Sequence, residues 1–118
     1  MSDMKEIIAV IRPEQWQATQ KGIYEAGGTG LTQKRVLGRG QQAGLRYMSM
    51  INFDGATTVR YLPKRMVRCV VEADKADNVV KAIINANQTG NPGDGKIFVC
   101  PVDESIRIRT GETGKESL

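Results

Sequence analysis

The chain has 118 residues, 40% of them apolar and 25% charged, with a formal net charge of +4. This is one domain with room for a real core, and its mild basic excess suits anionic ligands but does not by itself mark a DNA-binding protein. There is no histidine, which excludes Ser-His triads, His-ligated metals and imidazole acid–base chemistry.

In chain order, "KEIIAVIR" (5–12) is a short isoleucine-rich run bounded by Pro13 and reads as a buried strand. Pro13 and Glu14 then open a helix that Gly27 and Gly28 close, with Trp16, Thr19, Ile23 and Ala26 on one face. "LTQKRVLG" (31–38) reads as a second strand. From Gly38 to about Arg60 the pattern dissolves into glycines and polar residues. "RMVRCVVEA" (65–73) is a further strand, with Asp74 placed to cap a helix whose apolar stripe is Ala76, Val79, Val80 and Ile83. "KIFVCPV" (96–102) is strand again and "ESIRIRTG" (104–111) a short final one. Cys69 and Cys100 both lie inside apolar runs and form no C-x-x-C pair, so they read as buried free thiols rather than a disulfide or metal site. The N-terminal stretch is not apolar and no segment could span a bilayer, so the expected location is the cytoplasm, with no insertion into a membrane.

The order strand–helix–strand, long loop, strand–helix–strand predicts an α+β ferredoxin-like split βαβ repeat (βαββαβ) over residues 1–118. The extended loop covers about 38–61 and a short tail about 110–118. The strands "EIIAVI" and "MVRCVV" are apolar at both alternating sets, although helices can cover only one face of the sheet. The other face is therefore expected to pack against copies of the same chain, as a sheet-to-sheet oligomer.

The span "TGNPGDGK" (89–96) contains G-x-x-x-x-G-K, the opening of a P-loop, but Ile97 stands where that motif needs a hydroxyl for magnesium. It also follows a helix and leads into a strand, the reverse of a P-loop's context, so a P-loop NTPase is rejected. A glycine-rich loop can still turn backbone N–H groups toward an anion, with Lys96 adding a point charge. Arg107 and Arg109, two apart on a strand, would project from one face and suit a polyphosphate. A tight turn followed by an edge strand with solvated arginines explains the same residues, and chemistry alone leaves both readings open. Lys64 in "YLPKRM" could reach an anion at the loop base, or be a solvated strand-edge lysine. "GRGQQAG" (38–44) is a second glycine cluster, weak by itself. No carboxylate pair is placed for hydrolysis and no nucleophile has a base, which favours a binding module over an enzyme.

These residues carry a family resemblance. "IIAVIRPE", "VLGRGQQAG", "YLPKRMVRCVV" and the long "TGNPGDGKIFVCPVDESIRIRTGE" resemble the PII nitrogen-regulatory signal-transduction proteins over nearly the whole chain. The resemblance implies a ferredoxin-like homotrimer with its sheets at the centre. It implies a sensor that binds ATP or ADP between subunits and 2-oxoglutarate beside Mg-ATP, and that moves an extended loop onto a partner. Carried over to this sequence, Gly93, Asp94, Gly95 and Lys96 form the phosphate-binding loop, with Arg107 and Arg109 on the phosphates. Thr32, Gly38 and Gly40 surround the base and phosphates. Gln42 helps hold Mg2+ in the 2-oxoglutarate state, Lys64 contacts the keto acid, and Arg12 faces the same ligand.

Three departures qualify this. Ala43 stands where the family usually has a lysine, which loosens 2-oxoglutarate capture or leaves more of it to Arg12 and Lys64. Arg68 replaces a common carboxylate and puts the base or ribose contact in doubt. "LRYMSMINFDGATTVR" (45–60) lacks a "YRGAEY"-like stretch, so uridylylation is not expected, with Tyr47 the one tyrosine in that segment. "RPE", "GRGQQ", "YLPKRM", "NQTGNPGDGK" and "FVCPV" look closest to the nitrogen-fixation-operon branch. Its members pair with a sister PII protein and inhibit nitrogenase; the alternative is a general PII regulator of an ammonium transporter or glutamine synthetase. An RNA-binding ferredoxin-like domain would need exposed aromatics on its sheet, and the chain has few aromatics and no K-G-F-G-F-V-x-F run, so no nucleic-acid partner is expected.

Overall fold

The computed structural model describes residues 3–39 and 61–118. Gly40, Gln42, Ala43, Tyr47 and the rest of the segment read above as the extended loop's interior lie outside the described residues. The order is β1 (Met4–Ile11), α1 (Trp16–Glu25), β2 (Leu31–Gly38), β3 (Leu62–Glu72), α2 (Ala76–Asn87) and β4 (Gly95–Val102), with one-turn 3-10 helices at Pro13–Gln15 and Ala73–Lys75. The strands form one antiparallel sheet in the order β2-β3-β1-β4. That is the expected ferredoxin-like arrangement.

Alternation along the strands sorts the side chains. Ile7, Ala9 and Ile11 of β1 and Val67, Cys69 and Val71 of β3 are buried and meet Ile23 of α1 and Ala76, Val79 and Ile83 of α2. Trp16, Ala26 and Val80 complete this core from the predicted helix stripes. Full burial of an aliphatic side chain such as Ile23 contributes about 1.5–3 kcal/mol. The two helices are also joined through polar atoms. Asn87 Nδ2 donates to Thr19 Oγ1 at 2.9 Å, and the Thr19 hydroxyl donates to the Gln15 carbonyl at 2.7 Å.

The opposite face carries Ile8 and Val10 beside Met66 and Val70, with Phe98 in register with Ile8. Among the described residues no helix covers this side, and Phe98 is 49% exposed. It is the face that the sheet-to-sheet oligomer would bury.

Two local expectations are corrected. Asp74 does not cap α2: a 3-10 turn over Ala73–Lys75 precedes the helix, and no side chain caps its start. Residues 104–111 do not form a strand. Only Ile106 makes a β-bridge, to Thr113, while Ile108 is 98% exposed. The Gly111 N–H bonds back to the Arg107 carbonyl at 2.7 Å and the Gly114 N–H to the Ser105 carbonyl at 3.0 Å. The segment thus satisfies its backbone within itself instead of pairing with the sheet. Both cysteines are free thiols, Cys69 buried and Cys100 half-buried. Among the described residues no helix is long and apolar enough to cross a membrane.

Candidate ligand-binding site

The register of β1 with β4 sets Gly95 opposite Ile11, so the glycine-rich turn ahead of β4 lies beside the residue that leaves β1, Arg12. Gly95 has φ +121°, and a Cβ there would lie 2.2 Å from the Val10 carbonyl oxygen. Glycine is the residue that lets the loop lie this close to β1. At Gly93, φ +96°, a Cβ would meet Arg12 Nη2 at 3.1 Å.

Asp94 organises the turn. Its Oδ2 accepts from the Thr89 N–H at 2.7 Å and the Gly90 N–H at 3.0 Å, and its Oδ1 accepts from the Thr89 hydroxyl and from Arg12 Nη1 at 2.7 Å. Hydrogen bonds from Thr89 first, then from Arg12, hold the carboxyl well below the usual carboxylate range. Arg12 Nη2 donates to the Pro92 carbonyl at 2.9 Å, and Lys64 Nζ to the Gly93 carbonyl at 3.0 Å. Partial burial, then the neighbouring Arg12 charge, lower the Lys64 pKa, while Glu14 and Asp94 pull the other way.

The pleat also places the other candidates. Thr32 lies opposite Arg68, Gly38 opposite Leu62 and Lys64 opposite Val36; Lys96 lies opposite Val10. All sit on the face the helices leave open. Next in sequence, Arg65 turns to the helix side, over the Trp16 ring at 5.8 Å. A depression of about 550 Å3 at the ends of β2 and β3 is lined by Pro13, Val36, Leu37 and Pro63 with three cations, Arg35, Lys64 and Arg65. Among the described residues its lining includes no carboxylate side chain, although Glu14 and Asp94 lie near enough to Lys64 to act on its charge; the excess of cations suits an anion.

A second depression of about 440 Å3 holds Thr32 and Arg68 with Glu6, Ser117 and Leu118. Arg68, which stands where a carboxylate was expected, donates to Glu6 Oε2 through Nε at 3.1 Å and Nη2 at 2.8 Å. A carboxylate is therefore still present at that spot, supplied by β1.

Arg107 and Arg109 are not brought to the loop within the chain. Arg107 bonds to Glu112 Oε1 at 3.2 Å and to the Leu118 oxygen at 2.8 Å, inside the C-terminal segment, and Arg109 is exposed. Residues 104–111 are not a strand, so no strand alternation aligns the two guanidiniums. Gly40 and Gln42 fall outside the described residues. No local pattern links Arg12 to the loop it grips, since its partners lie 80 and 82 residues away.

The family description "Nitrogen regulatory protein P-II" matches residues 4–112. A "Nitrogen fixation nifHD region GlnB-like protein 2" from Methanothermobacter marburgensis is 44% identical over 98% of this chain and 100% of its own length. A "Nitrogen regulatory protein P-II 2" from Methanothermobacter thermautotrophicus is 42% identical over 98% of this chain and 97% of its own. Among solved structures, a GlnK–ATP complex from B. subtilis superposes with a TM-score of 0.80 at 32% identity, covering 100% of this chain and 99% of that one. Arabidopsis thaliana PII bound to citrate superposes with a TM-score of 0.77 at 30% identity, covering 99% and 94%. With a fold, a loop and a full-length match in agreement, the chain belongs to the nitrogen regulatory protein P-II family, and is a signal transducer and regulator rather than an enzyme.

Proposed function

We propose that this chain senses nitrogen status by binding ATP or ADP at one site, and 2-oxoglutarate beside Mg-ATP, and passes the result to a protein of nitrogen fixation. The observation that carries the reading is the fixed, glycine-built loop ahead of β4. It ends on Lys96, and its Gly93 carbonyl is held by Lys64, one of the three cations that line the depression at the ends of β2 and β3. The GlnK of similar fold is an ATP complex, and the PII of similar fold holds citrate, a polycarboxylate like the keto acid. Relatives named for a nifHD region support the link to nitrogen fixation.

In this reading the chain acts as a homotrimer that buries the sheet face bearing Phe98. Arg107 and Arg109 of one copy meet the Gly93–Lys96 loop of its neighbour. Among the described residues no three His, Cys, Asp or Glu side chains converge to hold a metal. Gln42 would help hold a Mg2+ ion through its amide oxygen, together with ligand oxygens, all hard donors that suit it. Bound there, the ion would supply positive charge that neutralises the phosphates. The loop from 45 to 60 is the output arm; its Tyr47, Met48, Met50, Ile51 and Phe53 form an apolar set suited to docking on a partner. The partner is nitrogenase, alone or with a sister PII chain. The ADP-bound or ligand-free protein holds it, and Mg-ATP with 2-oxoglutarate releases it. Whichever ligand state the partner prefers, the partner must in turn stabilise.

Calorimetry of ATP and ADP on the wild type and on Arg107→Ala tests the nucleotide site. Loss of a charge-assisted phosphate contact costs about 1.5–3 kcal/mol, so affinity for both nucleotides should fall about ten- to a hundredfold. Unchanged binding would place the phosphates elsewhere.

A further inference from the structure

The loop's carbonyl oxygens do not face solvent at random. Pro92 offers its carbonyl to Arg12 and Gly93 offers its carbonyl to Lys64, at 2.9 and 3.0 Å. Every described peptide bond is trans, and a trans peptide directs its N–H opposite to its C=O. The Gly93 N–H therefore turns away from the Arg12 guanidinium. Pro92 and Gly93 are the centre of a turn from Asn91 to Asp94, with Gly93 at φ +96°, so the Asp94 N–H faces the Asn91 carbonyl and closes the turn. An outward N–H on a tight glycine turn can meet an anion. We infer that Arg12 is the positioning residue of this loop: by holding Asp94 with one nitrogen and the Pro92 carbonyl with another, it fixes the orientation in which the Gly93 N–H receives an anion, and it does not touch the anion itself.

Three further observations support the assignment. The Arg12 guanidinium already spans two acceptors in a planar fork, an arrangement that a lysine at the same position cannot reproduce. The absence of a side chain at Gly93 is what admits Nη2 to its place, since a Cβ would stand 3.1 Å from it. The ion pair is also only partly exposed, with side-chain accessibilities of 25% for Arg12 and 23% for Asp94. It joins the start of one βαβ half to the end of the other.

The inference rests on the reading that the loop binds nucleotide phosphates, and the sign of one substitution separates it from a plain charge effect. Asp94→Asn removes a negative charge next to the anion. If Arg12 were a direct ligand, or if charge alone mattered, Asp94→Asn would tighten ATP by freeing the guanidinium. If Arg12 positions the loop through Asp94, the same change weakens ATP. We expect Arg12→Ala and Asp94→Asn each to weaken ATP and ADP about tenfold. The double variant should lose less than the sum of the two single losses, because both remove the Arg12–Asp94 pair, while the bonds of Asp94 to Thr89 and Gly90 and of Arg12 to Pro92 are disturbed separately. Arg12→Lys should recover only part of the loss. Calorimetry on the full-length chain, with melting temperatures measured alongside, gives all four values. If Arg12→Ala loses its fold, Arg12→Lys, which keeps the charge but not the two-acceptor fork, decides in its place: ATP bound as tightly as by the wild type overturns the inference. A wild type that binds no ATP would overturn the functional reading and this inference with it. A wild type that binds ATP, with Asp94→Asn binding as well or better, overturns the inference alone.

Discussion

Replacing Gly95 by alanine should damage this protein more than any other single methyl added to the loop. The backbone there has φ +121°, a region L residues avoid at about 1–2 kcal/mol. The added Cβ would also lie 2.2 Å from the Val10 carbonyl oxygen, whereas real contacts stay beyond 3.0 Å, so β1 and β4 must part by about 0.8 Å at their shared end. Opening the ladder there strains or breaks a backbone hydrogen bond, worth about 1 kcal/mol or more when its groups stay buried. Together the cost is about 3 kcal/mol. Gly90→Ala is the matched control. Its φ is +85°, but nothing lies within 4 Å of its Cβ, so only the backbone cost of about 1 kcal/mol remains. With a urea slope of about 1–3 kcal/mol/M, the two variants should differ in midpoint by about 1 M. Protein concentration must be held constant, because assembly adds to apparent stability. Equal midpoints for Gly95→Ala and Gly90→Ala would refute the argument that close approach to β1, rather than φ alone, requires glycine at 95.

Thr19→Val removes the acceptor that Asn87 Nδ2 meets between the helices, though Asn87 still donates to the Ile83 carbonyl at 2.9 Å. It should cost about 1–2 kcal/mol in denaturant unfolding, and adding Asn87→Leu should return part of it; an unchanged midpoint would discount this polar tie. Burial, then the nearby Glu6 charge, push the Cys69 thiol up to about 11 from 9.0. The unfolded chain gives up this proton first, so the stability it carries is complete below about pH 9 and is lost as pH rises through about 11. Urea midpoints across that window should fall for the wild type and fall less for Cys69→Ala; parallel curves would contradict the assignment.

The fold was legible because hydrophobic period and helix punctuation agreed. Pro13 and Gly27 bracket α1, and "LTQKRVLG" matches β2 from end to end. The final segment misled because Ile106 and Ile108 alternate with arginines as a strand would. Gly111 and Gly114, both with positive φ, turn the chain back on itself before it can pair with the sheet. Asp74 had the chemistry of a cap, but a 3-10 turn set the helix start after it. For the site, the glycines and Lys96 were readable as a loop because their types restrict what they do. The roles of Arg12 and Glu6 were not, because each depends on partners over 60 residues away that only the sheet register brings near. Arg68 looked like the loss of a carboxylate in the strand, and only the pairing of β1 with β3 shows that Glu6 supplies one.

The proposal that this P-II chain is a nucleotide-gated 2-oxoglutarate sensor is tested most directly by titrating 2-oxoglutarate into it by calorimetry under three conditions: with Mg-ATP, with ADP, and with ATP after magnesium is chelated. Binding is expected with Mg-ATP alone, and Gln42→Ala should abolish it while leaving ADP affinity nearly intact. Equal 2-oxoglutarate binding under all three conditions, or none under any, would contradict the account.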